Sequence, residues 1–351
     1  MYEAITIKDI AKALSLSTST VSRALRGSYE ISPETKKLVL EYAEKFNYRP
    51  NPIALSLKER KSRSIGVVVS EIANHFFSEA INGIESIAYN RGYHVIISQS
   101  HESYEREVVN VKHLSSRSVD GLLISLSTET TDIGHFKELH DKGLPLVFFD
   151  RVTDEIDTHK VIANNYKGAY DATDHLIKSG FKKIAHITSS AHLSITKERL
   201  AGYKAALEEH KIPLNESYIK YCNHGGKVLK EIEDAISDLM KLKQKPDAIF
   251  AASDRLTTSS LSTLKTLGLK IPDDVAFVGF TNYGLVELLN PPLSSVNQPA
   301  FEMGQVATEL LIQLIESKRP VTTFETRVLQ TQLCVRDSSV KHKQKSAEKK
   351  S

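Results

Sequence analysis

A short run of hydroxyl side chains and arginines at residues 18–26, TSTVSRALR, carries the clearest chemistry in this sequence. Helical spacing puts Val21 and Leu25 on one face and leaves the polar side chains on the other. Short hydroxyl side chains let a helix approach the DNA major groove closely, and Arg23 can donate two hydrogen bonds to guanine O6 and N7. The polar side chains of this face are Thr18, Ser19, Ser22, Arg23 and Arg26. An ordinary helical hairpin with a solvated polar face is the alternative, which this stretch alone does not exclude.

Helix start and stop signals surround this run. Thr6 stands three residues before Asp9, as in a capping box, and predicts a first helix with an apolar face. Ser17 can cap the second helix, and Gly27 can end it. Ser32, followed by Pro33, predicts the start of a third helix that runs to about residue 47. We expect this third helix to bury Leu38, Val39, Tyr42, Ala43 and Phe46.

The residues after the third helix read YRPNPIALSLK, from Tyr48 to Lys58. A helix that begins near Asn51 would have barely two turns, and so short a helix is not stable alone in water. It needs a partner surface.

At this point the chain resembles the lactose/galactose repressor family of bacterial transcription regulators. The resemblance rests on TIKDIAKAL, STSTVSRAL, SPETKKLVLEYAEKFNYRPN and LSLK, in this order, and continues to about residue 337. It implies that Thr18, Ser19 and Arg23 read bases, and that the short hinge helix folds on DNA beside its twin. It also implies that Leu57 enters the minor groove, where unstacking is offset by wider contact with a bent duplex. The expected DNA-contacting residues are Thr6, Ser17, Thr18, Ser19, Ser22, Arg23, Ala54, Leu57 and Lys58. Leu55 departs from the arginine often found there.

Charge is unevenly distributed along the 351 residues, whose net charge is +3. Residues 1–63 hold 12 Lys and Arg against 7 Asp and Glu, and residues 336–351 hold 6 against 2. A basic head on an acidic body fits a module that meets phosphates, joined to one that does not. The two cysteines, Cys222 and Cys334, are too few for a disulfide framework or a metal site. With no signal peptide and no apolar run of membrane-spanning length, we expect a cytoplasmic protein.

From residue 65 onward, β-branched runs alternate with amphipathic stretches, which predicts parallel sheets with helices on both faces. The predicted fold class is an all-α helix-turn-helix headpiece followed by an α/β body of two doubly wound, parallel-sheet subdomains, similar to periplasmic binding proteins. The predicted domains are a headpiece at 1–50, a hinge helix and linker at 51–64, and a body at 65–337. Within the body, the N-lobe takes 65–163 and 293–325, and the C-lobe takes 164–292 and 326–337. The crossings between lobes are implied by the resemblance.

The resemblance also implies a small-molecule effector held between the lobes, where open α/β sheets bind ligands beyond the carboxyl ends of their strands. The residues carried over by position are Asn74, Phe76, Phe77, Asp150, Arg199, Phe250, Ser253 and Thr281. Phe76 and Phe77 are equally compatible with a role in the core of the following helix. Arg199 suits vicinal hydroxyls, carboxylate or phosphate. Thr281 replaces the aspartate that family members use for sugar hydroxyls. This replacement leaves open an effector with fewer hydroxyl groups, an anionic effector, or one held by other residues. A sugar or sugar derivative remains the first expectation, and a purine-like ligand is the second.

The sequence contains few motifs that are typical of enzymes. It contains no GxGxxG, no P-loop and no Gly-x-Ser-x-Gly elbow, and its 13 histidines form no metal-binding pattern. Asp150 and Arg151 follow a strand and suit a ligand clamp as well as catalysis. We therefore expect no catalytic residues, no metal and no cofactor. The rival hypotheses are a sugar-binding protein without a DNA role and an enzyme with an accessory head.

The last stretch, residues 338–351, is rich in lysine and serine, and we expect it to be a disordered basic tail. It lacks the leucine heptads of a tetramerising helix, so we expect a homodimer. Two-fold symmetry then predicts a pseudo-palindromic operator as the DNA partner.

Overall fold

A computed structural model describes residues 5–48, 62–116 and 119–341. The chain divides into two compact units between Ser62 and Arg63. Within the described ranges, no helix is long and apolar enough to cross a membrane.

The first unit contains three helices, α1 (Ile7–Ala13), α2 (Thr18–Leu25) and α3 (Pro33–Lys45). Each begins at a predicted cap, because the side chains of Thr6, Ser17 and Ser32 accept hydrogen bonds from the backbone N–H three residues later. The core of this unit consists of buried Ile10, Ala11, Val21, Ala24, Val39 and Ala43.

Leu38 and Phe46 are corrections to the predicted core of the first unit. Leu38 is 49% exposed and Phe46 is 46% exposed. Only one side of α3 faces α1 and α2, and the small residues Val39 and Ala43 fill that side.

The second unit contains two six-stranded sheets with helices on their faces. The first lobe contains β1 (Ser64–Val69), α4 (His75–Asn90), β2 (His94–Gln99), α5 (Tyr104–Ser116), β3 (Gly121–Ile124), α6 (Gly134–Asp141), β4 (Leu146–Phe149), β5 (Lys160–Ala163), α11 (Ala300–Glu316) and β11 (Thr326–Leu329). Its strand order is β11-β5-β4-β3-β1-β2, and every pairing is parallel.

The second lobe contains α7 (Asn165–Lys178), β6 (Ile184–Thr188), α8 (Ser194–Glu209), β7 (Ile219–Tyr221), α9 (Leu229–Lys241), β8 (Ala248–Ala251), α10 (Asp254–Thr266), β9 (Ala276–Phe280), β10 (Ser294–Asn297) and β12 (Gln332–Cys334). Its strand order is β12-β10-β9-β8-β6-β7. Only the edge strand β12 is antiparallel to its neighbour. Short 3-10 turns lie at Glu216–Tyr218, Val286–Leu288 and Asp337–Ser339.

Helices α7 and α8 pack closely at Gly202. A Cβ atom there would overlap the carbonyl oxygen of Tyr166. The absence of a side chain at this position therefore allows the two backbones to pack in direct contact.

Strands β10 and β11 correct the predicted division between the lobes. The sequence assigned residues 293–325 to the N-lobe and 326–337 to the C-lobe, whereas β10 pairs with β9 in the second sheet and β11 pairs with β5 in the first. Packing gives the reason: Val296 of β10 fills the second lobe's core, while Leu329 of β11 packs on the first lobe's core. The chain crosses between lobes after β5, after β10 and after β11.

The predicted start of the disordered tail at residue 338 is also wrong. Ser338 and Ser339 are buried, and the Ser338 hydroxyl donates to the Phe277 carbonyl at 2.7 Å and accepts from the Ser294 N–H at 2.8 Å. These serines pack beside β9 and β10 through hydrogen bonds, so the lack of apolar residues in this stretch did not indicate disorder. Residues 342–351 of the predicted tail lie outside the described residues.

Candidate functional site

The exposed face of α2 presents the predicted DNA-contacting side chains. Thr18, Ser19 and Arg23 are exposed, whereas Val21 and Ala24 of the same helix are buried. The helix therefore has the predicted division between an apolar and a polar face.

Three predicted contact residues also have clear local roles in the structure. The Thr6 hydroxyl and the Asp9 carboxylate form the capping box of α1, with Thr6 N donating to Asp9 Oδ2 at 2.9 Å. The Ser17 hydroxyl accepts from Thr20 N at 3.0 Å and so caps α2. The Ser22 hydroxyl accepts from Arg26 Nη2 at 3.1 Å. The cap at Ser17 stabilises the start of α2 at the exposed surface.

The remaining predicted DNA contacts, Ala54, Leu57 and Lys58, lie outside the described residues, as does the predicted hinge helix.

The second candidate site lies between the two lobes, at the carboxyl ends of their strands. Asp150 follows β4, Asp254 follows β8 and Thr281 follows β9. Contacts that join the lobes across the cleft include the Glu71–Arg255 ion pair, Asn282 Nδ2 to Glu79 Oε2 at 2.8 Å, Lys227 Nζ to the His101 carbonyl at 2.9 Å, and Val152 N to Ser194 Oγ at 3.4 Å. The structure therefore shows the cleft closed.

Arg199 lies at the centre of the second lobe's side of the cleft and is 2% exposed. Its Nε donates to Asn165 Oδ1 at 2.8 Å, its Nη1 to the Ala252 carbonyl at 2.5 Å, and its Nη2 to Gln298 Oε1 at 3.0 Å. The guanidinium lies 3.8 Å from the centroid of the Phe280 ring. Burial lowers the pKa of Arg199 to about 10, which leaves it charged at neutral pH.

Asp150 and Arg151 form the first lobe's side of the cleft. Asp150 has a φ of 59° and is 5% exposed, and burial raises the pKa of its carboxyl group although Arg151 and Arg199 oppose the change. Its only side-chain hydrogen bond within the described residues comes from Ser125 Oγ at 3.5 Å. Arg151 is paired instead with Glu102, through Nη1–Oε2 at 2.6 Å and Nη2–Oε1 at 3.1 Å.

Glu102 therefore belongs to the cleft, where it pairs with Arg151, and is not an isolated acid at the surface. Burial alone would raise the pKa of Glu102, but Arg151 and the hydrogen bonds from Thr128 together lower it. The pair leaves Arg151 Nε, 3.9 Å from Asp150 Oδ2, without a hydrogen-bond partner in the described part of the chain.

A carboxylate lies beside Thr281 even though residue 281 itself is neutral. The Thr281 hydroxyl donates to Asp254 Oδ1, which also accepts from Asn282 N at 2.9 Å. Burial raises the pKa of Asp254. A cavity of about 190 Å³ adjoins this group, and it is lined by both lobes: Glu71, Ala73, Asn74, His75, Asp254, Arg255, Thr258 and Tyr283.

Several predicted cleft residues also have structural roles. Asn74 Oδ1 accepts from Phe76 N at 3.0 Å and caps α4, and Ser253 Oγ accepts from Leu256 N at 3.4 Å and caps α10. Phe76 and Phe77 are buried in the first lobe's core, which is the alternative that the sequence left open.

Phe250 is a correction among the predicted cleft residues. It is fully buried and stacks on His186 with 4.9 Å between ring centroids. Its ring therefore has no exposed surface for a ligand in this structure, because the side chain lies in the core of the second lobe.

Sequence reasoning missed the residues that hold Arg199 and Arg151. Asn165 begins α7, Gln298 follows β10, and Glu102 follows β2. Each is a polar residue at the start of a helix or in a loop after a strand, and this position could have indicated a role in the cleft. Within the described residues, no group of three or more His, Cys, Asp or Glu residues could hold a metal ion.

Comparison with known proteins identifies the family of both parts of the chain. Residues 6–51 match the family model described as bacterial regulatory proteins, lacI family, and residues 173–339 match the periplasmic binding protein-like domain. The chain is 33% identical over 327 residues to the HTH-type transcriptional repressor PurR of Vibrio parahaemolyticus, with 93% of this chain and 96% of that protein covered.

The chain belongs to the LacI family. It is also 36% identical over 337 residues to the ribose operon repressor of Haemophilus influenzae, with 95% and 98% of the two chains covered. A LacI family transcriptional regulator from Enterococcus faecium, solved with bound ribose, has a TM-score of 0.68 at 26% identity and covers 80% of this chain and 100% of its own. This LacI family member is therefore an effector-controlled, DNA-binding transcriptional repressor.

Proposed function

We propose that this repressor binds a pseudo-palindromic operator as a homodimer and that a neutral sugar or sugar derivative in the cleft controls this binding. Thr18, Ser19 and Arg23 would read bases, with Thr6, Ser17 and Ser22 at the same surface. Ala54, Leu57 and Lys58 would follow in the minor groove, as the family resemblance implies. The protein would act where its operator lies, in the cytoplasm, and would catalyse no reaction.

The Asp150–Arg151 pair is the observation that supports a sugar. The Asp150 carboxylate accepts one long hydrogen bond, and Arg151 Nε, 3.9 Å away, donates none within the described residues. A hydroxyl group both donates and accepts, so it can satisfy a carboxylate and an N–H together. A phosphate or carboxylate ligand only accepts, and Asp150 would repel it.

Arg199 supports the same proposal because its hydrogen-bond donors are already engaged. Its Nε, Nη1 and Nη2 are bonded to two amide oxygens and one backbone carbonyl. An anion would have to displace these acceptors to form a bidentate contact with the guanidinium. The ribose bound to the Enterococcus faecium regulator is a ligand of the proposed class.

A purine-like ligand is the second candidate, because the similarity to PurR extends over 93% of this chain. For such a ligand, the buried Asp150 carboxyl group would have to meet a ring N–H instead of a hydroxyl. Both ligand classes can be tested with the same variant.

Isothermal titration of Asp150→Asn with D-ribose and with hypoxanthine tests the proposal. Charged hydrogen bonds contribute about 1.5–3 kcal/mol, so loss of the charge should weaken ribose binding roughly tenfold or more. Asp154→Asn is the matched control, since the Asp154 side chain is 96% exposed. Tighter binding of an anionic sugar by Asp150→Asn, with no ribose binding by the wild type, would contradict the proposed neutral ligand. Binding of hypoxanthine alone would favour the second candidate.

A further inference from the structure

Arg23, the arginine expected to read a base, is paired with an acid in the first unit. Its Nη1 lies 3.0 Å from Glu30 Oε2, and the two side chains are 53% and 47% exposed. The pair lies at the same exposed surface as Thr18 and Ser19.

The turn after α2 determines where Glu30 lies. Gly27 adopts a φ of 71°, which brings Ser28 N to the Arg23 carbonyl at 3.0 Å and Gly27 N to the Ala24 carbonyl at 3.0 Å. This is the Schellman pattern of a helix end. It turns the chain back alongside the last turn of α2.

Two further contacts stabilise the turn. Ser28 Oγ accepts from Glu30 N at 3.4 Å, and Ile31 packs against the core of the first unit. The backbone is therefore anchored on both sides of Glu30. The meeting of Glu30 and Arg23 follows from this anchored turn and not from chance contact between two long side chains.

A carboxylate at this surface is unfavourable for DNA binding in itself. Residues 1–63 carry 12 Lys and Arg against 7 Asp and Glu, as expected for a surface that meets phosphates. An exposed ion pair also contributes little to stability. Glu30 thus weakens general attraction to DNA and adds little to folding, so the benefit of the pair lies elsewhere.

Arginine chemistry provides that benefit. A guanidinium carries five N–H donors, and a guanine takes two of them. The side chain of an unpaired arginine is highly flexible, whereas a carboxylate bound to one N–H group restricts where the others point. Arg26 provides a comparison, since its Nε and Nη2 are ordered by the Ser22 carbonyl and hydroxyl of its own helix, each at 3.1 Å.

We propose that Glu30 is a positioning residue that orients Arg23 for base reading and so determines operator specificity. The ion pair with Glu30 holds Nη1 of Arg23, while the other guanidinium nitrogens face the base. The pair lowers the affinity for DNA of any sequence and increases discrimination at one base pair in each half-site. This inference rests on the proposed role of Arg23 in reading a base.

Binding of Glu30→Gln and Glu30→Ala to three kinds of duplex tests the proposal. The duplexes are the operator, operators substituted at the base pair whose preference Arg23→Ala relaxes, and a random sequence. The variants should lose roughly three- to tenfold of the discrimination at that base pair, which is part of what a bidentate arginine contact provides. They should bind the random duplex about two- to fivefold more tightly at low salt, because one negative charge is gone. Glu41→Gln, on exposed α3, is the matched control for loss of charge alone and should leave the base preference unchanged.

A double-mutant cycle with Arg23→Ala distinguishes failure of the proposed role of Arg23 from failure of the proposed role of Glu30. If Arg23→Ala changes no base preference, the proposed role of Arg23 is wrong. If it does, but Glu30→Gln and Glu30→Ala bind every duplex more tightly with unchanged preferences, Glu30 is only a surface charge and this inference fails. In the Arg23→Ala background, the Glu30 variants should no longer alter discrimination. Circular dichroism spectra and melting temperatures identify any variant that does not fold.

Discussion

Replacing Arg199 by methionine should strongly destabilise the two-lobed unit even without a ligand. The guanidinium fills three acceptors in a site that is 2% exposed: Asn165 Oδ1, the Ala252 carbonyl and Gln298 Oε1. Methionine has a similar length but no donor, so all three acceptors would be buried without these partners.

The expected magnitude follows from these contacts. Each unsatisfied buried acceptor costs about 1–3 kcal/mol, and removal of one partner from a buried charged network typically costs about 3–5 kcal/mol. Protonation of Asp150, whose pKa is already raised by burial, relieves part of the loss of the neighbouring positive charge. We therefore expect Arg199→Met to lower the free energy of unfolding by about 3–5 kcal/mol.

Urea unfolding followed by far-ultraviolet circular dichroism measures this change. Arg199→Lys, which keeps the charge but cannot reach all three acceptors, should fall between Arg199→Met and the wild type. Arg91→Met is the matched control, because Arg91 makes an ion pair with Glu316 at 2.6 Å but is 54% exposed. It should change stability by about 1 kcal/mol or less. A loss of less than about 1 kcal/mol in Arg199→Met would refute a structural role for this buried network.

Two further substitutions test packing and burial in the second lobe. Gly202→Ala should cost about 2 kcal/mol or more in the free energy of unfolding, because its Cβ would overlap the Tyr166 carbonyl oxygen and separate α7 from α8. His186→Phe should reduce acid sensitivity, since burial between the Tyr203 and Phe250 rings lowers the pKa of His186 to about 3. Below pH 6.5 the unfolded chain binds a proton at this histidine and the folded chain does not, so stability falls with falling pH. Between pH 7 and pH 5, the wild type should lose about 2 kcal/mol more than His186→Phe.

Urea unfolding at the two pH values checks both predictions. Gly134→Ala is the control for Gly202→Ala, because its Cβ would first meet the flexible Asp132 carboxylate at 3.2 Å. Equal stability of the two alanine variants would show that α7 and α8 can separate at little cost. Equal losses in the wild type and His186→Phe on acidification would mean that His186 is charged inside the fold.

The sequence predicted the elements whose signals are local. Thr6, Ser17 and Ser32 marked three helix starts because a cap needs only a side chain and the next turn of backbone. The alternation of strands and helices likewise predicted two parallel sheets.

The sequence was less informative where distant residues decide the outcome. The sheets that β10 and β11 join depend on pairing partners far along the chain, and an apolar pattern does not name a partner. Phe250 was misplaced because an aromatic residue in a strand can face either the core or the cleft.

The partners of the buried arginines were likewise not predictable from the sequence. Glu102 meets Arg151 across 49 residues and Gln298 meets Arg199 across 99 residues, and the folding of each lobe brings these distant segments together. By contrast, the Arg23–Glu30 pair spans one tight turn, whose glycine was visible in the sequence. The turn was predictable, but the contact needed coordinates.

Selection of bound duplexes from a random DNA pool, at near-physiological salt and with and without D-ribose, tests the central claim most directly. The expected result is a palindromic consensus with a flexible pyrimidine–purine step at its centre, whose recovery changes when ribose is added. Salt-sensitive recovery of DNA without any consensus, under both conditions, would contradict it, since that result describes a merely basic surface.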